Sequence, residues 1–225
     1  MRSGSSLLSN ILSSNNGLCG YGETHRVYTR QEDLIDLSFD LCIKSDVLPT
    51  PRLVYFDKIL HDYIEDESYY SLPNILFLFL IRDARDTACS TQRMFMRENE
   101  NPNQMTLDYT RDRSKKLQSI LNQIKIKKNI AALRYEDLVK HPNKTLTALR
   151  HFIGLSEALT PDYKRSWHTG VKGLGDSSDA IKTGKIVKAQ GALNSTLPEE
   201  IQLSCEQSQR PLVQELENQG FFLNI

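Results

Sequence analysis

The sequence predicts an α/β fold with a mostly parallel β-sheet. The apolar run ILFLFLI at 75–81 lacks polar alternation, which indicates a strand buried on both faces, as in a parallel sheet. A second strand-like run, KNIAALRY, follows at 128–135, and stretches with helical spacing flank both runs. Strands that alternate with helices are typical of α/β proteins. The 225 residues suffice for one domain with a sizeable core, so we expect a single domain over 1–225.

The first part of the chain predicts helices around a short strand. Apolar side chains recur at helical spacing over 5–12, and the serines at its start can cap a helix there. The polar stretch 20–33 predicts a loop, and a second helix begins near Gln31. PRLVYFDK at 51–58 predicts a short strand, with its proline at the start. KILHDYIEDE at 58–67 predicts a helix that continues from this strand.

The second part of the chain continues the alternation. Apolar spacing predicts helices at 106–125, at 141–155 and, with an interruption near Pro211, at the C-terminus. Gly154 is expected to end the second of these helices. Residues 160–196 are rich in Gly, Lys and Ser, and we expect them to form a long functional loop.

The composition excludes some classes of function. Basic and acidic side chains balance at 28 each, which argues against broad non-specific nucleic-acid binding because that needs a basic surplus. Four widely spaced cysteines lack zinc-site spacing and predict reduced thiols in a non-oxidising compartment. No run approaches the roughly 20 apolar residues of a membrane span, and the N-terminus lacks the apolar core of a signal peptide. We therefore predict a cytoplasmic protein without a transmembrane segment or a metal site.

The chain opens with RSGSSL, which is typical of a loop that binds an anion at the start of a helix. Its glycine lets the backbone approach a ligand closely, and the helix start supplies N–H donors and a positive dipole end. Its arginine adds a rigid fork of positive charge. A phosphate or a phosphosulfate fits this loop, whose candidate residues are Arg2, Ser3, Gly4, Ser5, Ser6 and Leu7. An ordinary capped turn is the alternative, and the absent GK[ST] ending argues against a magnesium-nucleotide loop.

Two further segments carry candidate residues at the ends of predicted strands. In IRDARDTACS, Arg82 ends a strand and Ser90 lies eight positions later near a helix start, so the two can hold one phosphate together. The alternative is a solvated charge cluster whose local ion pairs contribute little. In LRYEDLV, the ring of Tyr135 can pack beside a base, the alternative being a half-buried aromatic at a sheet edge.

Taken in this order, RSGSSLL, RDxRDxxxS after an apolar strand, and RYEDLVKHPNKTLTALRHFIGL resemble the sulfotransferase superfamily. The resemblance implies a P-loop-like three-layer fold, with a central sheet flanked by helices, and 3′-phosphoadenosine 5′-phosphosulfate (PAPS) as co-substrate. It implies that the first loop holds the 5′-phosphosulfate, that Arg82 and Ser90 hold the 3′-phosphate, and that Tyr135 lies near the nucleotide. In this family a strand precedes the first loop. The chain starts inside the loop, so we expect a missing first strand and a truncated or misassigned start.

The first loop also indicates a branch of the family. Arg2 stands where the cytosolic aryl and steroid enzymes have a lysine, which resembles the protein-tyrosine, carbohydrate and many bacterial sulfotransferases. CGYGETHRV resembles the segment of the tyrosine enzymes that carries their catalytic glutamate, so Glu23 is the candidate base and His25 the runner-up. FDK at 56–58 resembles their lysine segment, which implies that Lys58 neutralises charge on the transferring sulfuryl group. Without the resemblance, these side chains are ordinary loop and surface charges.

A last resemblance lies near the C-terminus, where TGKIVKAQGAL is similar to the loop that closes over PAPS. By this resemblance Thr183 aligns with a serine that contacts the sulfuryl group, and Lys188 aligns with a lysine near the nucleotide phosphates. Lys182 and Lys185 compete for these roles, and a flexible basic loop is the alternative.

The resemblance thus predicts a sulfotransferase that moves a sulfuryl group in line from PAPS to an acceptor hydroxyl. Glu23 is the expected base, and Arg2 and Lys58 are expected to stabilise charge. The expected acceptor is a glycan or glycolipid, then a small metabolite, then a peptide tyrosine, with no metal and no nucleic acid. Two other functions stay open: a nucleotide-binding phosphotransferase or kinase, and a non-catalytic relative that binds PAP, the desulfated nucleotide.

Overall fold

Helices and short strands alternate along the chain in the computed structural model, which describes residues 3–60, 63–96, 101–165, 169–170, 179–187 and 197–225. The described helices are α1 Ser5–Ser13, α2 Glu32–Ser45, α3 Ala84–Phe95, α4 Pro102–Gln123, α5 Tyr135–Lys140, α6 Pro142–Ile153 and α7 Glu199–Asn218. The described strands are β1 Leu18–Cys19, β2 Val54–Tyr55, β3 Phe77–Ile81 and β4 Ile130–Arg134. Short 3₁₀ turns lie at Glu67–Ser71, Lys127–Asn129 and Ala180–Thr183.

The described strands pair in parallel, which confirms the predicted α/β class. β1 pairs with β2, and β3 pairs with β4 over its whole length. At the other edge of β4, Ala132 exchanges backbone hydrogen bonds with Phe221 and Leu223, so the end of the chain runs beside this strand. Within the described residues, the strands form two parallel pairs.

Two helical layers enclose β3 and β4, and alternate strand residues face them. Leu78, Leu80 and Leu133 pack with α1, α5 and α6. Phe79 and Ile81 pack on the opposite face with α4 and α7. This is the helix–sheet–helix arrangement of a three-layer fold. The first cluster also includes side chains of β1 and β2, so one apolar core joins the two strand pairs.

Helix α2 covers the other face of β1 and β2. Its fully buried Leu41 packs in a cluster with Cys19 and Tyr55. Leu18 and Val54, which alternate with these two strand residues, belong to the cluster on the α1 side. The pair β1–β2 therefore has an α1 side and an α2 side, and the residues that follow each strand can point to either.

Three local predictions are wrong. KILHDYIEDE forms no α-helix over its described residues, and Ile64 instead pairs with Tyr28 in an isolated parallel bridge. Pro211 does not interrupt the last helix, because α7 runs through it and is held by buried side chains on both sides of it. Helix α1 begins after Gly4 rather than after a capping serine, so Ser5 is already helical.

Candidate active site

The predicted anion loop lies at the start of α1. Gly4 has a left-handed conformation with φ of +85° and precedes the helix, and no side-chain capping hydrogen bond is made there. The first-turn N–H groups and the positive end of the helix dipole therefore form a site that suits an anion. Ser3, Ser5 and Ser6 are half-buried around this turn. Leu7 points into the core and offers only its backbone N–H.

Three sequence motifs meet at the ring of Tyr135, the first residue of α5. The ring packs so closely on Gly4 that a Cβ added there would lie 2.2 Å from the ring Cδ2. The guanidinium of Arg82 lies over the same ring, with its Cζ 4.7 Å from the ring centroid, which is a cation–π contact. The structure thus brings together the start of α1, the end of β3 and the start of α5.

The neighbours of Arg82 hold it in place. Its side chain is 11% exposed, and its Nη2 lies 3.5 Å from a carboxylate oxygen of Asp86. Its backbone carbonyl accepts a hydrogen bond from the side-chain amide of Gln209 in α7. Ser90 lies in the second turn of α3 and is buried. A largely buried positive charge therefore stands at the end of β3, supported from α3 and α7.

A second group of candidate residues meets beyond the ends of β1 and β2. Nζ of Lys58 lies 4.0 Å from Oε2 of Glu23, and the two side chains are 9% and 10% exposed. Nδ1 of His25 lies 3.8 Å from Oε1 of Glu23. Burial lowers the pKa of Lys58, and the charges of Glu23 and Asp57 oppose this shift. A carboxylate that can accept a proton thus stands beside a cation that can neutralise an anion.

A β-bulge precedes Glu23. The backbone bonds between the two segments run from Val54 N–H to Gly17 O, from Phe56 N–H to Cys19 O and from Lys58 N–H to Gly22 O. The donor side advances by two residues at each step, whereas the acceptor side advances by two and then by three. One extra residue is therefore inserted over 20–22, which is a bulge. Gly22 has φ of +125°, which a glycine adopts without the strain of a Cβ.

The extra residue reverses the face to which Glu23 points. Side chains of an extended chain alternate, so a regular continuation of β1 would place Glu23 on the same side as Tyr21, which packs in the α2 cluster. Lys58 alternates with Asp57, whose carboxylate accepts a hydrogen bond from Tyr28 of that same cluster. Because Glu23 contacts Lys58, both stand on the α1 side of the sheet, which is the side of the anion loop.

Two residues of α4 complete the surroundings of Glu23, and the sequence analysis missed both. The guanidinium of Arg113 donates hydrogen bonds to the carbonyls of Ile59 and Leu60, directly after the lysine of the pair. Burial lowers the pKa of Arg113, and Tyr109 and Glu23 oppose this shift. Burial raises the pKa of Tyr109 to about 12, against the positive charge of Arg113. Helical spacing marks the apolar face of α4 and carries no signal for these two positions.

The remaining candidate residues make local contacts or lie outside the described ranges. Thr183 ends the last 3₁₀ turn, and its hydroxyl donates a hydrogen bond to a backbone carbonyl of that turn. Nζ of Lys182 lies 3.0 Å from the carboxylate of Asp179. Arg2 and Lys188 are outside the described residues. The roles of these four residues stay predictions.

The described part of the chain holds no group of three or more His, Cys, Asp or Glu side chains that could bind a metal ion. No helix within those ranges has the length and apolar character needed to cross a membrane. The cysteines at 19, 42, 89 and 205 are buried free thiols.

The chain is similar to known proteins both in sequence and in fold. Residues 49–159 match the model of a family described as the sulfotransferase family, a range that includes Lys58, Arg82, Ser90 and Tyr135. Sixteen chains of solved structures also match. One is the sulfotransferase domain from the Synechococcus PCC 7002 olefin synthase, with a TM-score of 0.62 and 20% sequence identity over 94% of this chain and 91% of that chain. At this identity, the match shows a shared fold. No curated protein matches the chain.

Proposed function

Because this chain belongs to the sulfotransferase superfamily, we propose that it transfers the sulfuryl group of PAPS to an acceptor hydroxyl. The observation that carries the proposal is the meeting of Gly4, Tyr135 and Arg82 at one point. The Glu23–Lys58 pair, on the α1 side of the sheet, adds the groups that such a transfer requires.

The residues around Tyr135 fit a nucleotide with two anionic ends. The first-turn N–H groups of α1 suit the 5′-phosphosulfate, because they supply several donors and a positive dipole end. Arg82 suits the 3′-phosphate, since a planar guanidinium can bind two phosphate oxygens at once, and Ser90 follows it in α3. The ring of Tyr135 offers a flat surface beside the nucleotide.

The reaction requires a base and positive charge at the transferring group, and PAPS supplies the sulfuryl group and leaves as PAP. In our proposal, Glu23 accepts the proton of the acceptor hydroxyl while the acceptor oxygen bonds to sulfur and the bond from sulfur to the bridging phosphate oxygen breaks. Lys58 neutralises charge on the sulfuryl and bridging oxygens, together with Arg2 and the α1 N–H groups. The low exposure of Glu23 and Lys58 strengthens these interactions because little water screens them.

We extend the proposal to the acceptor and the cellular setting. The resemblance of the Arg2 loop and the Glu23 segment to carbohydrate, tyrosine and bacterial enzymes supports a glycan or glycolipid acceptor first and a small metabolite second. The four buried free thiols support a location in the reducing cytoplasm. We propose that residues 1–225 form one domain, because one apolar core of described residues joins both strand pairs.

Ligand-dependent thermal stability tests the donor site. A ligand at 100 times its Kd adds about 2.7 kcal/mol to the free energy of unfolding, so PAP should raise the melting temperature more than ADP with Mg²⁺ does. Arg82→Ala should weaken PAP binding about 10- to 100-fold, the loss expected for a charged hydrogen-bonding group. Arg85→Ala is the matched control, because it removes only a partly exposed pair with Glu206.

Turnover then tests the transfer step. PAP release from PAPS is followed with a panel of glycan and small hydroxyl acceptors, and Glu23→Gln should lower the rate about 100-fold or more. Glu65→Gln, at an exposed carboxylate of a neighbouring loop, should leave the rate unchanged. A shift with ADP and Mg²⁺ but none with PAP would point to the phosphotransferase alternative. Binding of PAP without transfer to any acceptor would point to the non-catalytic one.

A further inference from the structure

The structure holds a carboxylate directly behind the Glu23–Lys58 pair. We propose that Asp57 is a positioning residue, which through Thr24 holds Glu23 in the orientation that faces Lys58. This inference rests on the proposed function for its catalytic meaning, while the geometry behind it stands separately.

Asp57 binds the segment next to Glu23 through both of its oxygens. Oδ1 accepts the backbone N–H of Thr24 at 2.9 Å, and Oδ2 accepts the hydroxyl of the same residue at 2.6 Å. Oδ2 also accepts the hydroxyl of Tyr28 at 2.7 Å. Hydrogen bonds to a carboxylate are about twice as strong as neutral ones. The backbone and the side chain of Thr24 are therefore fixed by one partner.

Because of their positions in the sequence, the Asp57–Thr24 contact also constrains the Glu23–Lys58 pair. Thr24 follows Glu23 and Asp57 precedes Lys58, so the two contacts join the same two segments from opposite faces. Side chains alternate along extended segments, which puts Thr24 and Asp57 on the α2 side and Glu23 and Lys58 on the α1 side. The contact between Thr24 and Asp57 on the α2 side therefore sets the orientation of Glu23 and Lys58 on the α1 side.

The bulge explains why such an anchor is needed. Main-chain hydrogen bonds join the β1 and β2 segments, and among the described residues the last of these bonds runs from Lys58 N–H to Gly22 O. The next N–H, that of Thr24, donates to the Asp57 side chain instead. A bulged segment that contains a glycine is locally freer than a regular strand. The hydrogen bond to Asp57 takes the place of a main-chain hydrogen bond at Thr24, next to the residue whose orientation matters, Glu23.

The anchor is itself supported from α2. The hydroxyl oxygen of Thr24 accepts the backbone N–H of Arg26 at 3.3 Å, and the guanidinium of Arg26 pairs with Asp36 and Asp40 on α2. Tyr28 is 3% exposed and packs edge-to-face on Tyr69, with ring centroids 5.6 Å apart. Asp57 is therefore engaged on the side away from Lys58, which suits a positioning role and not that of a second base.

Three substitutions separate positioning from general structural damage. Asp57→Asn keeps the size of the side chain but cannot accept all three donors, and Thr24→Val keeps the backbone bond but removes the hydroxyl. Both should lower kcat for PAP release from PAPS about 10- to 100-fold, since small misplacements of a reacting group cost this much, with the Kd for PAP unchanged within about twofold. Thr24→Ser restores the hydroxyl and should restore the rate.

A double-mutant cycle supplies the decisive comparison. If Asp57 acts through Glu23, adding Asp57→Asn to Glu23→Gln should cause no further loss, because residues that act as a unit are non-additive. Additive losses, or a loss of PAP affinity equal to the loss of kcat, would overturn the proposal. An Asp57→Asn variant with the rate of the unmodified chain would do the same. If that variant does not fold, the comparison of Thr24→Val with Thr24→Ser decides in its place.

A measurement without turnover keeps this inference distinct from the proposed function. The carboxyl resonance of Glu23, observed in protein labelled with ¹³C-glutamate and assigned by its loss in Glu23→Gln, should move in Asp57→Asn and in Thr24→Val. It should stay in place in Thr24→Ser. These shifts would support positioning even if PAPS were not the donor, and unchanged resonances would overturn it whatever the donor.

Discussion

Gly4 shapes the anion loop through its backbone conformation and its lack of a Cβ. Its φ of +85° lies in the left-handed region, and the Tyr135 ring occupies the space where a Cβ would stand. The same ring carries the guanidinium of Arg82. A side chain at position 4 would therefore move both the ring and the arginine, so one residue links the loop to the opposite end of the site.

Gly4→Ala should lower both stability and PAP affinity. Positive φ alone costs an alanine about 1–2 kcal/mol, and the overlap with the Tyr135 ring adds to that cost. Gly154→Ala is the matched control, because its φ is +81° and nothing lies within 4 Å of its added Cβ. Urea unfolding and PAP titration of the two variants measure the difference.

The contribution of the ring can be separated by a second substitution. Tyr135→Ala opens the space beside position 4, so Gly4→Ala should cost less stability in that background than in the unmodified chain. Equal losses for Gly4→Ala and Gly154→Ala, with no change in PAP affinity, would mean that the loop does not depend on this contact.

At the scale of elements, α2 supports the proposed catalytic segment from behind. Leu41 is fully buried in the cluster that contains Tyr28 and Cys19, whereas Ile43, two residues later on the same helix, is 77% exposed. Leu41→Ala should lower the free energy of unfolding by about 2–5 kcal/mol through lost burial and a cavity. Ile43→Ala should change it by less than about 0.5 kcal/mol. Urea unfolding of the two variants tests which face of α2 the core requires.

Elements that are determined by local pattern are the ones that the sequence predicts well. The apolar spacing that marks α1, α2, α4 and α6 is a property of each segment alone, and all four form near their predicted bounds. KILHDYIEDE has mixed spacing, and its Ile64 pairs instead with Tyr28 from another part of the chain. A contact of that kind is tertiary, so no local pattern contains it.

The candidate site likewise has features that the sequence predicts and features that depend on tertiary structure. Arg82 and Tyr135 follow the ends of β3 and β4, and parallel strands carry their ends to one edge of the sheet, so the sequence order predicts that these two residues lie close together. The Asp57–Thr24 anchor depends on the register of β1 against β2 and on one inserted residue. Register is a property of the pair of strands, which neither segment reveals alone.

At the scale of the whole molecule, buried tyrosines couple stability to alkaline pH. Burial raises the pKa of Tyr69 and of Tyr109 from 10.0 to about 12. Burial, together with the charge and hydrogen bond of Asp57, raises the pKa of Tyr28 as well. These side chains lie in the 3₁₀ turn before β3, in α4 and in the loop after β1, so the effect reports on three regions at once.

The sign of the effect follows from proton binding in the two states. Between pH 10 and about 12 the unfolded chain has released these phenolic protons while the folded chain still holds them. The folded state then binds more protons, so the free energy of unfolding falls as pH rises, by up to about 1.4 kcal/mol per pH unit for each tyrosine. Lys58 acts in the opposite direction below its ordinary value of 10.5, because burial lowers its pKa in the folded state.

We therefore expect stability to fall steeply above pH 10, with a class of tyrosines that ionises late. Phenolate absorbance of the folded protein should show an ionisation step near pH 12 that coincides with unfolding. In concentrated urea this step should move down to near pH 10. Tyr109→Phe should make the loss of stability between pH 10 and 12 shallower, because one of the protons held by the folded state is removed. A single step near pH 10 in the folded protein, with the same pH slope in Tyr109→Phe, would mean that these phenols reach solvent freely and that α4 is not packed against the Glu23 segment.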